Sequence, residues 1–167
     1  YRRSGGGWAQ EAILTASDAA TGDAFGFGVS LADDRAVIGA PFDDGSRGAA
    51  YVFVRSGTAW SEEAKLVHAD PVGADSFGED VSLSGDRALV GARRHSGGAA
   101  YLFVRSGTSW SQEAKLTASG GEFGESVSLL GDRALVGAHR EITGRAYVFS
   151  RSGSVWSQEA QLAPADA

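Results

Sequence analysis

The residues best equipped for chemistry lie in three short stretches, Phe42-Asp43-Asp44, Arg93-Arg94-His95 and His139-Arg140-Glu141. Carboxylates, guanidinium groups and imidazoles together can hold a cation, pair with an acid or hydrogen-bond sugar hydroxyls. Asp43, Asp44, Arg94, His95, His139, Arg140 and Glu141 are therefore the candidate ligand-binding residues. Each has a plainer reading too. Asp43-Asp44-Gly45 is composed like a solvated turn. His95 and His139 occupy similar places after a V-G-A phrase and read as exposed loop histidines. No catalytic set is complete: there is no Ser-His-Asp group with supporting context, no nucleophile elbow and no Gly-rich phosphate loop opening a helix. The chain has no cysteine, which excludes disulfides, thiolate catalysis and Cys-ligated zinc. The expectation is no enzyme, no metal and no cofactor.

Composition narrows the partners. A net charge of −6 opposes nucleic acid, whose phosphates call for a concentrated basic surface. Hydrophobic residues at 43% and charged residues at 22% are those of a folded globular chain. No run approaches the length of an apolar membrane-spanning helix. The absence of Met and a start at Tyr1 read as a processed or excised piece.

The elements that must position these loops are announced by repetition. "FGFGVSLADDRAVIGA" at 25–40 returns as "FGEDVSLSGDRALVGA" at 77–92 and as "FGESVSLLGDRALVGA" at 123–138. Trp8, Trp60, Trp110 and Trp156 each follow an R-S-G phrase and each open W-x-x-E-A-x-L, about 50 residues apart. Within one period, "DVSLS" (80–84) alternates apolar and polar residues, while "RALVGA" (87–92) is apolar on both faces. Gly85-Asp86 between them is a two-residue hairpin signal, matched by Asp33-Asp34 and Gly131-Asp132. "AAYLFVRSG" (99–107) is a third strand by its aromatic and β-branched content. "WSQEAKL" uses strong helix formers, yet it is short and turn-bounded, and a helix that short is marginal alone. It reads as a polar outermost strand, with Trp60, Ala64 and Leu66 on one face and Ser61, Glu63 and Lys65 on the other.

Four strands per period define a propeller blade. The expectation is an all-β β-propeller of four-stranded antiparallel blades, three per chain: residues 17–68, 69–118 and 119–167. Residues 1–16 are left as an orphan outer strand, either a clasp that closes a blade or the remnant of a preceding one. The repeated Trp and Phe residues are assigned to the core. Arg35, Arg87 and Arg133, each following a hairpin Asp, are assigned to local or blade-to-blade ion pairs.

Phe25-Gly26 and Gly39-Ala40-Pro41, with their counterparts in the later copies, resemble the FG-GAP repeat of integrin-alpha-type β-propellers. Arg93 and His139 stand where that family has Pro. The resemblance implies extracellular or cell-surface adhesion and ligand binding at the face carrying the long loops. It also implies, in many members, a D-x-D-x-D-G calcium loop between the first two strands. Here that position holds only Ala32-Asp33-Asp34, Ser84-Gly85-Asp86 or Leu130-Gly131-Asp132, too few oxygens to wrap a calcium ion, so no calcium site is carried over.

Two functions remain. One is a non-enzymatic module that binds protein or glycan through the long loops, which include Ser17–Ala24 and His68–Ser76. The other is a purely structural, self-assembling segment. Three blades cannot close a circle and would leave apolar faces bare, so a homo-oligomer is expected, with a six-bladed dimer favoured.

Overall fold

The computed structural model describes residues 1–119, 121–140 and 144–165. A small hairpin, β1 (Arg2–Ser4) and β2 (Gly7–Ala9), precedes three four-stranded antiparallel sheets. Blade 1 comprises β3 (Val29–Ala32), β4 (Arg35–Ala40), β5 (Ala49–Ser56) and β6 (Ala59–Leu66). Blade 2 comprises β7 (Val81–Ser84), β8 (Arg87–Ala92), β9 (Ala99–Ser106) and β10 (Ser109–Leu116). Blade 3 comprises β11 (Ser126–Leu130), β12 (Arg133–Ala138), β13 (Arg145–Ser152) and β14 (Val155–Leu162). Each sheet runs in chain order from inner to outer strand, as short turns between consecutive antiparallel strands require. The W-x-x-E-A-x-L phrases are strands, not helices.

The blades stack face to face. Val37, Val52 and Leu66 of blade 1 meet Val81, Leu83, Tyr101 and Phe103 of blade 2 in one apolar cluster. Leu89, Leu102 and Leu116 on the back of blade 2 meet Leu129, Val136, Tyr147 and Phe149 of blade 3 in the next. Phe77 and Phe123 are fully buried at these junctions. The glycine after each of them explains the repeated motif. Gly78 and Gly124 have φ of +93° and +94°, and their carbonyls press against Gly39 and Gly91 of the preceding blade. A Cβ at either partner would fall well inside 3.0 Å of that oxygen. F-G of one blade and G-A of the one before are thus the two halves of a backbone contact that only glycine permits.

The outer strand corrects the sequence reading. In all three blades the glutamate of W-x-x-E, Glu63, Glu113 or Glu159, is the extra residue of a β-bulge. A bulge resets the alternation of side chains. Trp60 consequently packs toward the cluster on the front of blade 1, while Ala64 and Leu66 pack against blade 2, so they do not share the single face that simple alternation gives.

The bulge also aims its carboxylate at the following blade. Glu63 accepts from Trp110 Nε1 at 2.9 Å and from Arg105 Nε at 3.2 Å. Glu113 does the same for Trp156 at 3.2 Å and Arg151 at 3.0 Å. Glu11, from the segment after β2, serves Trp60 at 3.2 Å and Arg55 at 2.7 Å. Arg35, Arg87 and Arg133 bond these outer-strand glutamates, Glu63, Glu113 and Glu159. The hairpin aspartates Asp34, Asp86 and Asp132 instead take Arg55, Arg105 and Arg151 of the third strands. The expected Asp–Arg pairs therefore exist with different arginines, because hydrogen-bonded registry places the third strand, not the second, beside the hairpin tip.

Each end of the stack leaves apolar side chains exposed. Val29 and Leu31 on the front of blade 1 are 67% and 70% exposed, whereas their counterparts Val81 and Leu83 are buried. Trp8, Phe27 and Phe42 are likewise exposed, so among the repeated tryptophans the assignment to the core fails at Trp8, where no complete blade stands in front. On the back of blade 3, Leu135 is 42% exposed and its counterpart Leu89 is fully buried.

Candidate binding site on the long-loop face

The hairpin ends of the blades carry the same Asp–Arg pair three times. The opposite ends carry three different polar clusters, one per blade.

In blade 1, Tyr51 presents its hydroxyl to Asp18 Oδ1 at 2.8 Å and, closer still, to Asp43. Lys65 Nζ lies 2.6 Å from Asp18 and 2.8 Å from Asp43 and sits over the Tyr51 ring. Asp43 is buried, which corrects the solvated-turn reading. The loop turns back at Asp44 and Gly45, both with positive φ, and so tucks the Asp43 carboxylate against Tyr51. Asp44 remains exposed and holds Arg47 at 3.1 Å. Burial and the Asp43 carboxylate push the Tyr51 phenol above its usual range. Burial works against the charge on Lys65, but Asp18 and Asp43 outweigh it and raise its pKa. Asp43, Asp44, Arg47, Lys65, His68 and Pro71 line a cavity of about 230 Å³ between the β4–β5 loop and the connection after β6.

In blade 2 the same frame recurs with different groups. Tyr101 donates to Asp70 Oδ1 at 2.9 Å, and Lys115 donates to Asp70 Oδ2 at 2.5 Å. Burial opposes the charge on Asp70, yet Lys115 and Tyr101 hold its carboxyl well below the ordinary range. His95 takes the place that Asp43 has in blade 1, with Nε2 2.8 Å from Lys115 Nζ. It is buried, against the exposed-loop reading, because the turn after Ala92 folds it onto the Tyr101 ring at 5.8 Å. His68 packs between Phe77 and Tyr101, with ring centroids at 5.1 and 4.7 Å. Burial lowers the His68 pKa. Asp75 is buried between the two histidines. Arg94 is exposed, and its backbone N–H donates to the Asp75 carbonyl.

In blade 3, His139 is exposed and pairs with Glu125, while Arg140 pairs with Glu122 at 2.9 Å. Arg93 reaches the same group from blade 2, joining Glu79 at 2.5 Å to Glu122 at 3.1 Å. His139 is thus the counterpart of Arg93, not of His95, and the two histidines share no pocket. Glu141 lies outside the described residues. Of the sequence candidates, Asp43 and Asp44 line one cavity together. His68 and Asp75 belong to the same region and were not singled out. Aligning the copies on W-x-x-E and F-G marks them, since His68 stands where the other copies have Ala16 and Ala118.

A larger hollow, about 480 Å³, lies on the open edge of blade 3, lined by Gly137, His139, Gly144, Ala146 and Leu162. In blades 1 and 2 the equivalent glycines, Gly48 and Gly98, bridge to Phe77 and Phe123 of the next blade. The hollow is the same socket without its phenylalanine.

Stacked four-stranded sheets joined through their faces define a β-propeller segment. A solved yeast structure, that of Saccharomyces cerevisiae Sqt1, superposes with a TM-score of 0.60 at 10% identity, over 85% of this chain and 37% of that one. TolB from Acinetobacter baumannii gives a TM-score of 0.49 at 12% identity, over 78% of this chain and 31% of that one. The chain thus spans about a third of the length of either structure. None of the curated proteins compared with it matches. The FG-GAP repeat profile matches at residues 8–53, 60–103 and 110–149, and the chain belongs to the FG-GAP repeat family.

Proposed function

We propose that this chain is a non-enzymatic binding module that completes its stack with a second copy, giving a six-bladed dimer whose long-loop face takes a protein or carbohydrate ligand. The observation that carries the reading is the unfilled socket and bare apolar back of blade 3, whose residues match those buried at the two internal junctions. Leu135, Ala146 and Leu162 stand where Leu89, Ala100 and Leu116 contact the next blade. The front of blade 1, with Val29 and Leu31, is the complementary half, and a head-to-tail contact closes as a ring of two. The segment before β3 already covers the β4–β5 part of that front, with Ala16 buried there, Leu14 and Phe25 packed beside it, and Glu11 on Arg55 and Trp60, so the exposed half is the β3 strand. Assembly then exchanges Glu11 for Glu159 of the second copy. An extracellular setting, implied by the family resemblance, is part of the same proposal.

The test is complementation. Leu135→Glu blocks the back and Leu31→Glu blocks the front, so each variant alone stays monomeric in light scattering. Mixed, they retain one good back and one good front and form a dimer. If the mixture stays monomeric while the wild type assembles, the contact is not head-to-tail.

A second reading, a structural segment with no ligand, draws on the neutralised loop clusters: Lys65 is matched by Asp18 and Asp43, and Arg47 by Asp44. Binding of the assembled chain to a glycan array or to a defined protein ligand separates the two.

A further inference from the structure

Two of the three histidines in the chain converge on one carboxylate beneath the long-loop face. His68 Nε2 lies 3.4 Å from Asp75 Oδ2, and His95 Nδ1 lies 3.2 Å from Asp75 Oδ1. The three side chains are 2%, 3% and 1% exposed. Neither contact has hydrogen-bond geometry, and both nitrogens are buried with no hydrogen-bond partner among the described residues. Such orphaned polar atoms carry a desolvation penalty that something must offset.

We propose that His68 Nε2, His95 Nδ1 and the Asp75 carboxylate form a binding site for one divalent transition-metal ion of the zinc type. One ligand atom from each lies within 4.8 Å of the others. Metal–ligand bonds of about 2.0–2.1 Å put neighbouring ligands of a tetrahedral ion ~3.3 Å apart, and each imidazole nitrogen lies near that distance from one Asp75 oxygen, a different oxygen for each, so a small turn of the carboxylate brings one oxygen to both. Imidazole with carboxylate selects zinc and its first-row neighbours over calcium or magnesium, which take oxygen. The outer nitrogens are also provided for: His68 Nδ1 lies 3.3 Å and His95 Nε2 3.5 Å from the two oxygens of Asp70. A carboxylate behind the ligating imidazole is the usual support of such a site. The Val72 N–H holds Asp75 at 2.9 Å. His68 borders the 230 Å³ cavity, and an ion held by three protein ligands keeps a fourth position for water. In blade 1 the three positions hold Ala16, Asp23 and Asp43, and no histidine.

Loading the site changes one hydrogen bond. Lys115 Nζ now points at His95 Nε2; with the ion on Nδ1, Nε2 carries the proton and donates to Asp70, and Lys115 keeps Asp70 alone. Zinc would pin the connection before β7 to the loop after β8.

Titrating the chelator-stripped full chain with zinc chloride by calorimetry tests this. The expected result is one zinc per chain. His68→Ala and His95→Ala should each weaken binding by at least the roughly 10–100-fold that loss of an outer partner costs, Asp70→Asn by about that factor, and His139→Ala not at all. Cobalt(II) on the wild type needs no variant to fold, and intense visible bands of four-coordinate cobalt are expected. A wild-type chain that takes up no zinc, a weak six-coordinate cobalt spectrum, or loss of binding in His139→Ala would each overturn the proposal.

Discussion

Replacing Glu63 by alanine measures what joins one blade to the next. The Glu63 side chain is 5% exposed and accepts from Trp110 Nε1, Arg105 and Arg35 at 2.9–3.4 Å. Its removal leaves an indole N–H and two guanidinium groups facing an apolar junction. Breaking one side of a buried ion pair costs about 3–5 kcal/mol. Arg105 keeps Asp86 at 3.3 Å and reaches solvent, so the lower end, about 3 kcal/mol, applies here. At roughly 2–4 °C per kcal/mol for a chain of this size, Tm should fall by about 6–12 °C. In the monomeric Leu135→Glu background, where Glu159 stays outside any junction, Glu159 is the internal control, with the same motif position and the same bulge. Its side chain is 42% exposed and its partner, Arg133, is 3.5 Å away. An exposed pair of that kind contributes about 0–1 kcal/mol, so Glu159→Ala should shift Tm by no more than about 4 °C. Circular-dichroism melts of both variants at neutral pH decide it. Equal losses, or a Glu63 loss under ~1 kcal/mol, would refute the claim that the bulged glutamate works across the junction.

Two further outcomes follow from the same junctions. Gly91→Ala drives a Cβ into the Gly124 carbonyl and should cost about 3 kcal/mol, the upper end of overpacking; Gly137→Ala, whose nearest neighbour is the Ser126 hydroxyl, should cost less when melted in the monomeric Leu135→Glu background. Hydrogen bonding from Arg55 holds the Glu11 carboxyl down at about 2, against an ordinary 4.5. Burial resists ionisation of Glu63 and Glu113, but their Trp and Arg donors still hold both below the ordinary range. A depressed carboxylate stabilises fully above its unfolded pKa and loses that contribution as pH falls toward its folded one, so Tm should drop between about pH 5 and pH 2, and less steeply in Glu63→Gln.

The architecture was open to reading because each blade repeats its instructions. Alternation in "DVSLS", two-faced apolarity in "RALVGA" and the Gly-Asp turn all point to one hairpin, and three copies say so together. The helix-forming residues of "WSQEAKL" misled less than the bulge did. Periodicity cannot register one inserted residue, so the faces of Trp60 and Leu66 were merged and the purpose of Glu63 was hidden. The candidate site was less open. Asp43 and His95 sit in loops whose composition signals exposure, and only the positive-φ turn at Asp44 and Gly45 and the packing onto Tyr101 bury them. His68 and Asp75 gain their meaning from meeting across a connection and a loop, which spacing along the chain does not encode. His139 looked like a counterpart of His95 because both follow V-G-A, yet a two-residue offset gives them different neighbours.

In the proposed six-bladed dimer, the bare back of blade 3 and the exposed β3 strand on the front of blade 1 are two halves of one junction. Light scattering on the wild-type chain across nanomolar to micromolar concentrations measures it most directly. The expected result is a rise to twice the 17.2 kDa chain mass and no further. A mass that stays at one chain throughout, or grows without limit, would contradict it.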